Sequence, residues 1–306
     1  MDLKTLTEIN APSGHEQAIR RFLLDELKKL GFAPVLDRMG NVVVVKEGTG
    51  DAPRKRVMVS AHMDEVGLIV TSATEDGYLR IAAAGGIDPR VLVSKRVTVG
   101  EDKLPGVIGA VPIHLQSAAE RKHVLSMDEL LVDIGAKNKD EAECKAPMGT
   151  YISFDTPYVE YGDGFACGKA FDDRVGCLSL LRLLQEELPV DLVACFVSEE
   201  EVGCRGAKGA AFQQEPDIGI VLEGTTCNDL GDVPETAHVC EAGQGVAVSF
   251  MDGASIANRA LFRKALDVAK QENIPHQVKH SVSGGNDGGA IQRAREGVPV
   301  VVLSVP

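Results

Sequence analysis

The sequence predicts an α/β protein, a doubly wound sheet domain interrupted by a β-rich insertion. Three observations carry that reading. Apolar strand-like runs alternate with amphipathic helical stretches at both ends of the chain. Residues 68–161 show instead short β-branched runs broken by Gly, Pro and charged turns. Apolar residues make up 44% of the 306 residues, enough for a sizeable core.

Taken in order, Ser13-Gly-His-Glu16 has the capping-box spacing, with Ser13 as the N-cap. The helix after it places Ile19, Phe22, Leu23, Leu27 and Leu30 on one face and stops at Gly31. NVVVVKE (41–47) and KRVMVSAH (55–62) read as strands. The second is apolar on both sides, as in a sheet covered by helices on both faces. In 68–161 the runs LIVTSA, YLRIAAA, VLVSKRVTVG, VIGAVPIHL, ELLVDIGA and YISFD fit a small β barrel or sandwich, with one helix near 137–144. From 162 the alternation returns. Helices are expected at 172–188, 204–214 and 256–274, and strands at 190–198, 217–223 and 298–306. The domain division is thus 1–67 with 162–306 around an insert at 68–161.

Composition excludes several function classes. The formal charge is −13, from 32 Lys and Arg against 45 Asp and Glu. Nucleic-acid binders carry basic patches, and anionic membrane surfaces attract polybasic segments, so neither partner is expected. No run reaches the ~18 apolar residues of a membrane span, and the N-terminus lacks a signal-peptide pattern. The seven cysteines are scattered, odd in number and without a CxxC pair. That argues against a disulfide framework and for a reducing, cytoplasmic setting.

In open α/β sheets, ligands bind beyond the carboxyl ends of the strands. RVMVSA is followed by His62 and Asp64, LVACFVS by Glu199, Glu200 and Glu201, and DIGIVL by Glu223. Asp172 and Asp173 precede a helix. Each has an ordinary reading alone: a structural imidazole, a solvated acidic face, a first-turn acid on the helix dipole. Gathered at one sheet edge, however, four or more acids repel unless cations neutralise them. His with carboxylates suits zinc or related ions. No G-x-S-x-G elbow and no P-loop occurs. Cys204 lies beside acids that would raise its thiol pKa.

Through these residues and the motifs that hold them, the chain resembles the M42 family of metallo-aminopeptidases, the glutamyl and tetrahedral aminopeptidase group. The motifs are APSGHE (11–16), GNVVVVKEG (40–48), SAHMDEVG (60–67), GKAFDDRVG (168–176), SEEEVGCRGA (198–207), VLEGTTCND (221–229), IPHQ (274–277) and GGNDGGAI (284–291). The resemblance runs almost end to end. It implies a zinc-exopeptidase-like sheet domain with an inserted small β-barrel domain that serves dimerisation and assembly. It further implies two divalent ions per subunit, Zn2+ first and Co2+ or Mn2+ as substitutes. His62 and Glu223 resemble ligands of one ion, Asp172 the bridging carboxylate in preference to Asp173, and Glu201 a ligand of the other ion. Glu200 resembles the general base. Asp64 resembles the group that holds the His62 imidazole and fixes its tautomer. The implied activity is removal of N-terminal residues from short peptides by a homo-oligomer, dimers building a dodecamer.

The family's last histidine, in an Arg-Tyr-x-His segment after the final strand, is not in the sequence, which ends VVLSVP. We expect a further segment in the parent protein. The alternative is a catalytically impaired or purely assembling homologue. Some relatives are named endoglucanases, but no Trp and only 4% aromatic residues leave few sugar-stacking platforms.

Overall fold

A computed structural model describes residues 2–306. The described residues divide into two compact units, one of residues 2–9, 16–64 and 170–306, the other of 10–15 and 65–169.

In the first unit, eight strands among the described residues form a mixed sheet. At its centre four strands run parallel: Asp191–Val197, Arg56–His62, Ile218–Gly224 and Val300–Val305, in that spatial order. Their register pairs Val197 with His62, Val221 with Ser60 and Glu223 with Ser304. Consecutive sheet positions are therefore level, and all four carboxyl ends open on one edge. Val42–Lys46 and Val35–Leu36 extend one side in antiparallel pairing. Val246–Ser249, antiparallel to the last central strand, and His276–Lys279 extend the other. These two and Val35–Leu36 escape sequence reading because they are only 4, 4 and 2 residues long, too short for a period to show.

Both faces of the central strands are covered, as their unbroken apolar runs require. Met58, Val193, Cys195, Val221 and Val302 pack with Ala207, Ala210 and Ala211 of helix Arg205–Gln214 and Ile291 of helix Asp287–Gln292. The intervening Val57 and Val59 are also buried, at 9% and 3% exposure. Helix Phe171–Leu183 packs against strands Arg56–His62 and Ile218–Gly224. Helix Gln17–Lys29 buries Ile19, Leu23 and Leu27, while Leu30 stays exposed. Gly31 (φ 88°) ends it, a left-handed position that glycine takes without a Cβ penalty.

One expected detail fails. Ser13 does not cap this helix, which starts at Gln17 with Glu16 as its N-cap. The Ser13 N–H donates instead to the Glu65 carbonyl, 3.1 Å, next to a Pro12–Glu65 bridge. Backbone pairing outcompetes the cap.

The second unit resolves barrel against sandwich in favour of the barrel. Six strands close in the order Gly67–Ala73, Leu79–Ala84, Leu131–Asp133, Leu104–Gly109, Arg96–Val99 and Tyr151–Phe154. All pairs are antiparallel, and a register irregularity between Val70 and Ser72 helps the first strand curve. Closure leaves these strands no free edge. The barrel is filled by Leu68, Val70, Leu79, Ile81, Val97, Val99, Ile108, Val132 and Ile152. The expected helix forms at Lys139–Lys145, capped by the Asn138 side chain on the Glu141 N–H. No helix among the described residues is long and apolar enough to cross a membrane.

Candidate metal centre

The carboxyl edge of the central sheet gathers the acids that lie far apart in sequence. His62 ends its strand with 2% exposure. Its Nε2 lies 3.0 Å from Asp172 Oδ1 and 3.5 Å from Glu223 Oε2. On the other side Nδ1 is 3.2 Å from the Asp64 carbonyl and 3.4 Å from Asp64 Oδ1. Burial alone would depress the imidazole pKa. Glu223, Asp172 and Asp64 outweigh that and hold it well above the usual histidine range.

Asp64 does more than touch His62. It is 0% exposed, and its carboxylate accepts the Glu200 N–H at 3.1 Å and the Glu201 N–H at 3.2 Å. One buried side chain thus fixes the histidine and the glutamate run together. The run itself is a tight turn. Glu199 has φ 55°, and the Glu200 carbonyl accepts from Gly203 and Cys204, both at 2.8 Å. Asn41, fully buried, supports the turn from below. Its Oδ1 accepts the Ser198 N–H at 2.9 Å, and its Nδ2 donates to the Gly206 carbonyl at 2.9 Å. Glu199 lies outside the cluster and pairs with Arg205 at 3.2 Å.

The two aspartates before the helix divide their work. Asp173 is 0% exposed and accepts the His62 N–H at 3.1 Å and the Gly176 N–H at 2.9 Å. Asp172 has a 56% exposed side chain whose carboxylate still faces the crowded edge. Burial there pushes its pKa up, but the His62 hydrogen bond and charge and the Gly224 N–H win, and it lies below its ordinary value. The peptide between the two is cis.

Two groups of donors lie with their ligand atoms within 4.8 Å of one another, His62–Asp172–Glu201 and His62–Asp173–Glu223. Glu223 Oε2 is buried with no hydrogen-bond partner. Burial, then the neighbouring acids, pushes the Glu223 carboxyl well up against the pull of His62. The same causes raise Glu200, and Glu201 to about 7. One imidazole cation cannot neutralise this many carboxylates, so several are driven toward the neutral form.

All six residues singled out in sequence, His62, Asp64, Asp172, Glu200, Glu201 and Glu223, meet at this edge. Asp173 joins the His62–Glu223 group although the resemblance favoured Asp172 alone. Asp287, from the glycine-rich segment, arrives beside Glu200 and Cys204. Asn41 gave no signal in sequence beyond standing at the start of an apolar run.

A mixed sheet with four parallel central strands, an inserted closed barrel and a His–carboxylate cluster at the carboxyl edge of those strands make up an α/β fold of the TET aminopeptidase type. The family model for M42 glutamyl aminopeptidase matches residues 40–306. A glutamyl aminopeptidase of Lactococcus lactis is 33% identical over 99% of this chain and 86% of its own length. The crystal structure of a TET aminopeptidase from a marine sediment archaeon of the Thaumarchaeota superposes with a TM-score of 0.94 at 32% identity, covering 99% of this chain and 87% of that one. The TET1 peptidase of Pyrococcus horikoshii, which can assemble into a tetrahedron or a large octahedral shell, gives 0.85 at 32% identity, over 99% and 89%. The chain belongs to the M42 family of aminopeptidases. It is a peptide-bond hydrolase.

Proposed function

We propose that this chain removes N-terminal residues from short peptides using two divalent ions, Zn2+ first among candidates, with Glu200 as general base. The carrying observation is the cluster itself. One buried imidazole faces Asp172, Asp173, Glu201 and Glu223, and a buried Glu223 oxygen has no donor. That donor set fits cations that supply the missing positive charge. In this reading His62 and Glu223 would hold one ion, Glu201 the other, and Asp172 would serve both. Asp173 holds the His62 backbone. When bound, the ions acidify a water and polarise the substrate carbonyl.

The residues of this chain supply the rest. Glu200 removes the water proton and hands it to the leaving amine. Asp64 sets the position of Glu200 through the backbone rather than by touching substrate. The acids around the edge favour the charged α-amine of a peptide N-terminus, which directs cleavage to chain ends. The sheet unit carries the chemistry in this proposal, and the insert at 68–161 serves dimerisation and a closed, dodecameric assembly. The insert presents Val111, Ile113 and Leu115 at 59%, 70% and 69% exposure, an apolar set suited to a partner subunit. All seven cysteines are free, in keeping with a cytoplasmic setting.

The test is release of anilide from aminoacyl-anilides after adding Zn2+ or Co2+ to chelator-treated protein. Turnover that returns with metal is expected. No metal-dependent release from any substrate in a broad panel would sink the proposal.

A further inference from the structure

The donors described above leave a third group beside them. Glu200, Cys204 and Asp287 bring a carboxylate oxygen, a thiol sulfur and a second carboxylate oxygen within 4.8 Å of one another. Cys204 Sγ is 3.4 Å from Glu200 Oε1. Asp287 is 1% exposed, and neither of its carboxylate oxygens has a hydrogen-bond partner among the described residues. A buried, unsatisfied carboxylate directed at a thiol and a second carboxylate is costly unless a proton or a cation neutralises it. Zn2+ binds thiolate at about 2.3 Å and carboxylate at about 2.1 Å, which places sulfur and oxygen roughly 3.6 Å apart around a tetrahedral ion. The observed separation already matches.

We propose that Glu200, Cys204 and Asp287 form a third cation site, selective for thiophilic divalent ions such as Zn2+ in excess or Cd2+. Binding replaces the S–H bond of Cys204 by a sulfur–metal bond and delivers the thiol proton to solvent. Glu200 and Cys204 are only partly buried, so an ion can reach them. Burial, then Asp287 and Glu200, raises the thiol pKa. An uncomplexed Cys204 is therefore a neutral thiol, and the site stays open until a thiophilic ion arrives. The soft donor distinguishes this group from the all His-carboxylate sets around His62. An ion seated here coordinates Glu200. The consequence for turnover rests on the reading of Glu200 as the base, whereas the binding does not.

The test titrates Cd2+ into the Zn2+-loaded protein and follows the ultraviolet thiolate-to-cadmium charge-transfer band. Ions exchanging at His62 and its carboxylates give no such band. Wild type should show one saturable increment that Cys204→Ser lacks. Asp287→Asn, which keeps the thiol, should weaken the increment by at least ~10-fold, the lower end of what losing metal-site partners costs. Cys227 and Cys240 lie 3.9 Å apart at their sulfurs and could bind Cd2+ themselves, so Cys227→Ser is the control and should retain the increment. Identical titrations of wild type and Cys204→Ser, or of wild type and Asp287→Asn, would overturn the site. In parallel, inhibition by excess Zn2+, each protein scaled to its own maximum, should shift at least ~10-fold upward in Cys204→Ser. A lost band with unshifted inhibition would leave the cation site standing and overturn Glu200 as the base.

Discussion

The buried Asp64 carboxylate accepts the backbone N–H of Glu200 at 3.1 Å through Oδ1, the same oxygen that lies 3.4 Å from His62 Nδ1. The strand end that carries the imidazole and the turn that carries the glutamates are thereby one unit. Removing the charge at Asp64 should disturb both. Asp64→Asn keeps the volume but sets an amide NH2 against either the Glu200 or the Glu201 N–H, where a carboxylate oxygen accepted before. We expect a loss of roughly 10–100-fold in metal affinity or in kcat, the range for groups that orient metal ligands. Chelator competition and steady-state kinetics measure the two separately. Wild-type values for both would show that Asp64 is only a packing residue.

Glu200→Gln separates proton transfer from binding. The amide keeps the shape and the Cys204 contact but cannot carry a proton. Turnover should fall by about 10²–10⁴-fold, with metal content at the His62 donors unchanged by elemental analysis. Activity within a few-fold of wild type would remove Glu200 from the reaction.

Acid stability of the metal-free protein follows from the same crowding. Burial, then the neighbouring acids, pushes the folded Glu201 carboxyl up to about 7, against 4.5 for a free glutamate. Between those values the folded state holds a proton that the unfolded chain has released, so stability falls as pH rises through the window. His62 adds to this, because its folded pKa lies well above 6.5 and its contribution is lost as pH passes that value. Asp172, held below its ordinary 3.8, works in the opposite sense, but only in acid. Chelated protein should therefore melt lower at about pH 8 than at about pH 6. Zn2+ should raise the melting temperature and flatten the slope, because bound ligands no longer need protons. A melting temperature that rises with pH in chelator would contradict the cluster's electrostatics.

Asn41 tests the floor beneath the glutamates. Its amide satisfies the Ser198 N–H and the Gly206 carbonyl in a fully buried place. Asn41→Ala strands both partners and should cost about 1–3 kcal/mol. Denaturant unfolding measures that. A drop in kcat beyond the stability loss would show that the turn, and not only the fold, has moved.

How much of this was legible in the sequence depends on what each residue contacts. The central strands and their flanking helices could be read because burial on both faces writes continuous apolar runs, as in residues 191–197. The acids could be read because a strand-end position in a parallel sheet has one functional edge. Ser13 misled, since a capping pattern is local and the competing Glu65 carbonyl lies 52 residues on. Asn41, and the grip of Asp64 on two backbone N–H groups, were hidden because side chain-to-backbone bonds across 136 to 157 residues leave no periodic trace. Asp172 and Asp173 read alike in sequence. Which of two adjacent aspartates faces inward is decided by the backbone at the helix start, where both depart from helical angles.

Gly176 offers the narrowest test of that helix start. A Cβ built there would lie 2.4 Å from both carboxylate oxygens of Asp173. Asp173 is fully buried and holds the His62 N–H, so it has no free volume into which to retreat. The fault in Gly176→Ala is steric rather than conformational, because alanine otherwise favours a helix by up to ~1 kcal/mol over glycine. The displaced carboxylate must release the Gly176 N–H, the His62 N–H or both, stranding buried donors at about 1–3 kcal/mol. Stability should therefore fall despite the better helix former, and metal affinity at His62 should fall with it. The companion variant Gly176→Ala with Asp173→Asn removes the charge but not the clash, and should recover neither. A stabilised Gly176→Ala protein with wild-type metal affinity would show that the Asp173 carboxylate can move without carrying His62 along.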